Sequence, residues 1–192
     1  LERLRQLALE ANPLTGMPGN NSLVEAITAA LRARAPVSVI YCDLDNFKAY
    51  NDSYGFVRGD RAITYTAEVL RAAAAGLADP ERSVFHVGGD DFAMVVPSDR
   101  AGEVTAEIVR RFDEGVGELY SREDRTSGFI VSTSRRGQVE QFPLMGISVG
   151  CVDIAGGPFE HHIEVANACA EVKKESKKIP GSSVFFDRRR GG

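Results

Sequence analysis

Two pairs of acidic residues each lie where an apolar, strand-like run ends. Asp43 and Asp45 end the run VSVIYCDLD, and Asp90 and Asp91 follow two glycines in the segment FHVGGDDF. Apolar residues on both sides of the second pair predict a β-hairpin with the glycines at its turn. Carboxylates hold Mg²⁺ beside substrate phosphates in many enzymes. The two pairs therefore indicate either a metal site for phosphate chemistry or two solvated acidic turns.

The first strand and the hairpin would bring Asp43 and Asp90 together if they were neighbours in one sheet. Two carboxylates from different strands, with a backbone carbonyl, form a minimal site for a divalent cation that carries a nucleoside triphosphate. Nucleotidyl transfer requires such a site. The spacing alone leaves open the alternative that the two acidic turns never meet.

Length and composition restrict the class of protein. The chain has 192 residues, 43% of them hydrophobic, and a net charge of −4, so we expect one globular domain without a general affinity for nucleic acid. It contains no run of about 20 apolar residues and no signal peptide, which predicts a cytoplasmic domain without direct membrane contact. The three widely spaced cysteines suggest reduced core residues rather than a disulfide framework.

The order of the elements predicts an α+β fold. It comprises a central, mainly antiparallel five-stranded sheet flanked by helices, with an extra hairpin within 120–142. Residues 46–60 are predicted to be a polar turn region. The last helix, HHIEVANACAEVKKESKK, is predicted to turn Ile163, Ala166, Ala170 and Val172 inward. We expect residues 1–11 to be the end of an upstream connecting helix and residues 12–192 to be the domain itself.

Four segments, in order along the chain, resemble the GGDEF domain, the family of diguanylate cyclases. They are NPLTGMPGN at 12–20, DLDNFKAYNDSYGFVRGD at 43–60, GGDDF at 88–92 and VKKESKK at 172–178. The second segment matches the family pattern D-x-D-x-F-K-x-x-N-D-x-x-G-H-x-x-G-D almost letter for letter. The resemblance implies a palm-like fold, as in nucleotide cyclases, and the condensation of two GTP molecules into cyclic di-GMP with release of two pyrophosphates.

The same resemblance implies roles for particular residues. Asp43, Asp90 and the carbonyl of Leu44 would hold Mg²⁺ or Mn²⁺, and Asp91 would join the two aspartates in catalysis. Each subunit of a homodimer would bring one GTP, and an upstream sensor or receiver domain would regulate the enzyme. The substrate-binding residues would be Phe47, Lys48, Asn51, Asp60, Gly88, Gly89, Lys174 and Lys178.

These substrate-binding residues also have plainer interpretations. Asn51 and Asp60 are residue types that commonly cap helices and turns. Lys174 and Lys178 would suit a solvated helix end, where the helix dipole favours positive charge. In the functional interpretation, Asn51 and Asp60 read guanine, because a carboxylate accepts both the N1–H and the N2–H of that base.

The sequence departs from the family pattern at several of these positions. Asp91 replaces a glutamate and shortens the side chain by about 1.5 Å. His86 stands where the family usually has arginine, and Phe56 where it usually has histidine. Asp79 and Arg82 reverse the order of the usual inhibitory R-x-x-D pair, which predicts weak feedback by cyclic di-GMP. A degenerate domain that binds GTP or another nucleotide as a regulatory module is therefore the alternative to an active cyclase.

Overall fold

A central sheet and a separate hairpin contain the β-structure of the chain. The computed structural model describes residues 10–133, 137–155 and 157–187. Its strands, in chain order, are β1 (Val37–Leu44), β2 (Val84–Gly88), β3 (Asp91–Pro97), β4 (Phe129–Thr133), β5 (Val139–Pro143), β6 (Ile147–Asp153) and β7 (Ser183–Phe186). The central sheet has the order β2-β3-β1-β6-β7, and β4 pairs with β5 in the hairpin. Only the β6–β7 pair of the central sheet is parallel, so the predicted α+β fold with an extra hairpin is confirmed.

Helices cover both faces of the central sheet. Those in the described ranges are α1 (Asn20–Ala33), α2 (Phe47–Tyr54), α3 (Phe56–Ala74), α4 (Ala101–Gly115), α5 (Arg122–Ser127) and α6 (His162–Ser176). Residues from α2, α3 and α4 share one apolar core with the sheet, and residues from α1 and α6 share the other. Successive side chains of β1 point to opposite faces of the sheet, so Ile40 packs in the first core and Val39 in the second. None of the helices in these ranges is long and apolar enough to cross a membrane.

The prediction of a polar turn region at 46–60 is wrong. Two helices, α2 and the start of α3, occupy this stretch. Lys48, Asp52 and Ser53 of α2 are exposed, whereas Ala49 and Tyr50 are buried in the core. Gly55, with φ of 80°, separates the two helices. A short helix with so few apolar positions shows little periodicity and depends on tertiary packing for its stability.

The predicted inward face of α6 is wrong in all but one residue. Ile163 is 60% exposed, and Ala166 and Ala170 are exposed as well. Val172 is inward as predicted, together with the remaining buried residues of the helix, which are Val165, Ala168, Cys169 and Ser176. The helix is rotated relative to the prediction because small and apolar residues occur on two of its faces.

Two other predictions fall partly or wholly outside the described residues. Of the expected connecting helix at 1–11, residues 1–9 lie outside them. The predicted hairpin turn at Arg136 and Gly137 is described only from Gly137 onward, whereas the strands β4 and β5 on either side of it are present.

A cluster of three tyrosines attaches the segment that contains α5 and the hairpin to α2. Tyr50 and Tyr54 stack with their ring centroids 4.8 Å apart, and Tyr120 packs edge-on against both rings. The Tyr54 hydroxyl donates to the carboxylate of Asp124 and accepts from the backbone N–H of Ser121 at 3.0 Å. The segment after α4 is therefore packed against α2 by both aromatic and polar contacts.

We expect Tyr54→Phe to keep the ring contacts and lower the free energy of unfolding by about 1–2 kcal/mol, since it leaves a backbone N–H and a carboxylate without their phenol partner. Denaturant unfolding measures this change, and limited proteolysis should cut residues 120–143 faster in the variant. Tyr41→Phe is the matched control, because burial and nearby charges, but no hydrogen bond from the described residues, act on the Tyr41 hydroxyl. Equal losses in the two variants would contradict a specific role for the Tyr54 hydroxyl.

Candidate active site

The two predicted acidic turns meet at one edge of the sheet. Strands β1 and β3 are antiparallel neighbours, and their register places Asp43 directly opposite Asp91. Asp90 precedes Asp91 in the turn, and the negative charge of Asp43 contributes to raising the pKa of Asp90. Gly88 and Gly89 have φ of 151° and 58°, and a Cβ on either would project into open space. The turn therefore needs glycine for its backbone conformation and leaves room for a ligand beside it.

Lys173 of α6 and Lys177, which directly follows this helix, neutralise Asp43, which is only 4% exposed. The Nζ of Lys173 lies 2.6 Å from Oδ2 of Asp43 and also contacts Asp91, while Lys177 contacts the Oδ1 of Asp43. Burial disfavours the ionised form of Asp43, but these two ammonium groups outweigh it and hold the pKa of Asp43 below its usual value. Asp43 is therefore a buried carboxylate that stays ionised.

The surrounding carboxylates have raised pKa values. Burial raises the pKa of Asp90, and the charge of Asp43 adds to the shift. Burial also raises the pKa of Asp91, although the contact with Lys173 opposes this. Burial raises the pKa of Asp45 to about 6, even though the Ser148 hydroxyl donates to both of its oxygens at 2.9 Å. The site is thus crowded with acidic groups that compete for positive charge.

This donor set fits a hard divalent cation. Within the described ranges, no three acidic, histidine or cysteine side chains converge closely enough to hold a metal ion on their own. Mg²⁺, however, commonly takes one or two carboxylates and completes its shell with water and phosphate oxygens. When ionised, the four carboxylates (Asp43, Asp45, Asp90 and Asp91) exceed the charge of Lys173 and Lys177 by two. The prediction that Asp43, Asp90 and the carbonyl of Leu44 hold such an ion stays a prediction.

The predicted guanine-binding residue Asn51 lies where α2 packs against α3. The Oδ1 of Asn51 lies 1.8 Å from the point where a Cβ on Gly59 would stand, so the Asn51 amide rests directly on the backbone of α3. Asp60 follows Gly59 and is exposed. The Asn51 Oδ1 is buried and has no hydrogen-bond partner among the described residues. Such an acceptor costs about 1–3 kcal/mol, which an N–H donor from a ligand would offset.

The predicted phosphate-binding lysines, Lys48, Lys174 and Lys178, are exposed, and their role stays a prediction. Lys174 is exposed, Lys178 pairs with Glu175 at 2.6 Å, and Lys48 pairs with Asp52 at 2.6 Å. The prediction missed Lys173 and Lys177, which make the contacts with Asp43. The predicted inward position of Val172 was a signal for Lys173, which follows it in the chain. The burial of Ser176, which precedes Lys177, is evident only in the structure.

The reversed inhibitory pair forms an exposed ion pair at the surface. The Nε of Arg82 lies 3.7 Å from the Asp79 carboxylate, and the two side chains are 76% and 59% exposed. In this arrangement the Asp79 carboxylate partly neutralises the guanidinium that a phosphate would require. The prediction of weak feedback by cyclic di-GMP stays a prediction.

Comparison with known proteins decides the family. A family model described as the GGDEF domain of diguanylate cyclases matches residues 11–133. The chain belongs to the GGDEF family. Its similarity to curated members is moderate: diguanylate cyclase VdcA of Vibrio cholerae is 32% identical over 147 residues, which are 73% of this chain and 41% of VdcA. The bifunctional diguanylate cyclase/cyclic di-GMP phosphodiesterase MucR of Pseudomonas aeruginosa is 34% identical over 119 residues, 58% of this chain and 16% of MucR. This GGDEF chain thus spans less than half the length of these relatives.

Solved GGDEF domains share the fold. The GGDEF domain of TpbB (YfiN) from Pseudomonas aeruginosa superposes with a TM-score of 0.66 at 18% identity, covering 91% of this chain and 92% of that one. The GGDEF domain of DgcB from Caulobacter crescentus, solved in complex with c-di-GMP, gives 0.64 at 23% identity, covering 92% and 95%. The likeness extends over nearly the whole chain, including the part beyond residue 133.

If Asn51 has its predicted role in guanine binding, Gly59→Ala should lower the affinity for GTP at least tenfold, because the new methyl group would displace the Asn51 amide. The displaced group is the end of a flexible side chain, and alanine favours the helix by about 1 kcal/mol, so stability should not fall. Gly102→Ala is the matched control: it lies in a helix too, and its Cβ would meet open space. Measurement of GTP affinity and thermal unfolding for both variants tests this. An unchanged affinity in Gly59→Ala would contradict a role for Asn51 in binding the nucleotide.

Proposed function

We propose that this GGDEF domain is a diguanylate cyclase, which condenses two GTP molecules into cyclic di-GMP and two pyrophosphates as a homodimer. The observation that carries the proposal is the convergence of Asp43, Asp90 and Asp91 at one sheet edge, with Lys173 against two of them. A merely solvated acidic turn does not require a buried, ionised carboxylate held by two lysines. The 32% identity to a named diguanylate cyclase supports the same activity.

The proposal gives the two sides of the site different tasks. Asn51 and Asp60, at the α2–α3 junction, bind the Watson–Crick edge of guanine. Asp43, Asp90 and the Leu44 carbonyl hold Mg²⁺ or Mn²⁺. A bound divalent cation would neutralise charge on the triphosphate and stabilise the leaving pyrophosphate.

The lysines supply positive charge to the same phosphates. We assign this task first to Lys173 and Lys177, since both contact the acidic cluster. Phe47, Lys48, Lys174 and Lys178 remain further candidates for substrate contact, at the positions that the family resemblance implies. Gly88 and Gly89 let the backbone of the turn approach the nucleotide.

The reaction itself joins one nucleotide to the other twice. In each step the 3′ hydroxyl of one GTP attacks the α-phosphate of the other, forming an O3′–P bond and breaking the bond to the β-phosphate, while the hydroxyl proton is lost and pyrophosphate leaves. Each homodimer subunit positions one GTP so that the two reacting groups face each other. Positioning of this kind contributes a large share of the rate acceleration in bimolecular reactions.

Incubation of the purified domain with GTP and Mg²⁺ or Mn²⁺, followed by nucleotide separation, tests the proposal. We expect cyclic di-GMP and pyrophosphate from the wild type, and at least a 100-fold lower rate from Asp43→Asn, whose amide is a much weaker cation ligand. Circular dichroism establishes whether that variant remains folded. Asp99→Asn serves as a matched control that should retain most of the activity, because Asp99 is exposed and lies near the opposite end of β1 from Asp43. A folded wild-type domain that binds GTP but forms no cyclic di-GMP would contradict the proposal.

One observation favours a second candidate, a nucleotide-binding regulatory module without turnover. The Asp91 side chain is shorter than the glutamate of the family and is held by Lys173, a contact that competes with a catalytic role. On the cyclase proposal, Asp91→Ala should abolish cyclisation and leave GTP binding largely intact. Asp91→Glu should raise turnover with little change in GTP affinity, because the turn acts on developing charge rather than on the base. If the wild type and Asp91→Glu are both inert while GTP still binds, the module is the better description.

A further inference from the structure

A buried histidine links the glycine turn to the segment that precedes α1. His86 on β2 is 4% exposed, and its ring stacks on Phe92 with centroids 4.3 Å apart and planes 16° from parallel. One ring nitrogen, Nε2, lies 2.9 Å from the carbonyl oxygen of Gly89, and the other, Nδ1, lies 3.1 Å from the Thr15 hydroxyl. The backbone N–H of His86 donates to the carbonyl of Pro18 at 2.9 Å. The ring is therefore fixed on its face and at both nitrogens.

The chemistry of these partners fixes the protonation of the ring. The Gly89 carbonyl can only accept, so Nε2 carries the hydrogen, and Nδ1 of the neutral ring accepts from the Thr15 hydroxyl. Burial holds the pKa of His86 below its usual value, against the opposing effects of the Gly89 carbonyl and the Asp91 charge, which agrees with a neutral ring. Thr15 is itself anchored, because the guanidinium of Arg71 donates to its carbonyl at 2.7 Å.

The turn needs such an external restraint. Gly88 and Gly89 both have positive φ, and glycine also adopts many other backbone conformations at little cost. The β2–β3 register shifts between His86 and Gly88, so the regular ladder does not continue through the turn. The hydrogen bond from Nε2 to Gly89 selects one conformation, and the direction in which Asp90 leaves the turn follows from it.

We propose that His86 is a positioning residue that holds the Gly88–Asp91 turn, and with it the Asp90 and Asp91 carboxylates, in the conformation needed to act on the triphosphate. The ring does not touch the reacting atoms. It replaces the arginine that the family usually has at this position, and its working group is the Nε2–H. The part of the proposal that concerns turnover rests on the proposed cyclase function, whereas the restraint on the turn is independent of it.

Two substitutions distinguish the contribution of Nε2 from that of Nδ1. The side-chain NH₂ of glutamine reaches about as far as Nε2, so His86→Gln keeps a donor for Gly89. The shorter side chain of His86→Asn can replace only the Nδ1 end, so it keeps a partner for Thr15 and loses the donor. We expect His86→Gln to retain turnover within about threefold of the wild type. His86→Asn should lower kcat at least tenfold with little change in the KM for GTP, since displacements near 1 Å cost up to about 100-fold when geometry is catalytic.

A second measurement does not depend on activity. In ¹⁵N NMR spectra of the wild type, His86 should be the neutral Nε2–H tautomer. Hydrogen exchange of the Asp90 and Asp91 amides should accelerate at least tenfold in His86→Asn and hardly at all in His86→Gln. Thermal unfolding identifies a variant that is globally destabilised, and Thr15→Val then serves as the milder test, because it frees Nδ1 while leaving the side-chain volume nearly unchanged.

The outcomes separate the two proposals. Equal turnover and equal exchange in His86→Gln and His86→Asn would overturn the positioning role and leave His86 as a packing residue. An Nδ1–H tautomer in the wild type would overturn it as well. If the wild-type domain lacks cyclase activity but the exchange rates differ as expected, the restraint on the turn stands and the proposed function fails.

Discussion

Repulsion between two carboxylates is the constraint around which the rest of the site is arranged. Asp43 and Asp91 stand opposite each other on β1 and β3, where like charges destabilise a strand pair and burial raises the cost. Lys173 contacts both carboxylates, and α6 must lie close to the sheet for it to do so. Gly150 of β6 permits this approach, since a Cβ there would stand 2.9 Å from the side chain of Val172. The close packing of α6 on the sheet thus brings Lys173 within reach of both like charges.

The same charge balance suits the site to a reaction with polyanions. An ammonium group is a point charge on a flexible stem, so Lys173 and Lys177 can exchange a carboxylate for a phosphate oxygen without a change of fold. The pKa values of Asp90 and Asp91 are raised, whereas that of Asp43 is lowered. A bound cation would then take the place of the lysines beside these carboxylates. On the proposed function, the lysines keep a strongly acidic edge folded between turnovers and become available when nucleotide and cation arrive together.

The sequence predicted those parts of the structure that depend on local patterns. The alternation around FHVGGDDF and the apolar run before Asp43 predict the hairpin and β1, and both are present. It could not predict the orientation of α6, because Ile163 and Val165 begin two apolar faces with similar spacing, and only the sheet determines which one is buried. The predicted lysines, Lys174 and Lys178, each follow by one position a lysine that contacts Asp43, and the same ambiguity accounts for the omission of Lys173 and Lys177 from the prediction. A resemblance of motifs carries the same uncertainty, since KKESKK fits the family pattern in more than one register.

Contacts between residues far apart in the chain decide what the departures from the family pattern mean. His86 and Thr15 are 71 residues apart, and Tyr54 and Asp124 are 70 apart, yet each pair supports a segment that carries predicted site residues. From the sequence alone, histidine in place of arginine before the turn counts against activity. In the fold, the same histidine has an aromatic partner, a hydrogen-bonded carbonyl and an anchored hydroxyl, so it restrains the turn with different atoms. A substitution within a motif therefore argues against activity only when the new residue makes no supporting contacts in the fold, and His86 makes such a contact with the carbonyl of Gly89.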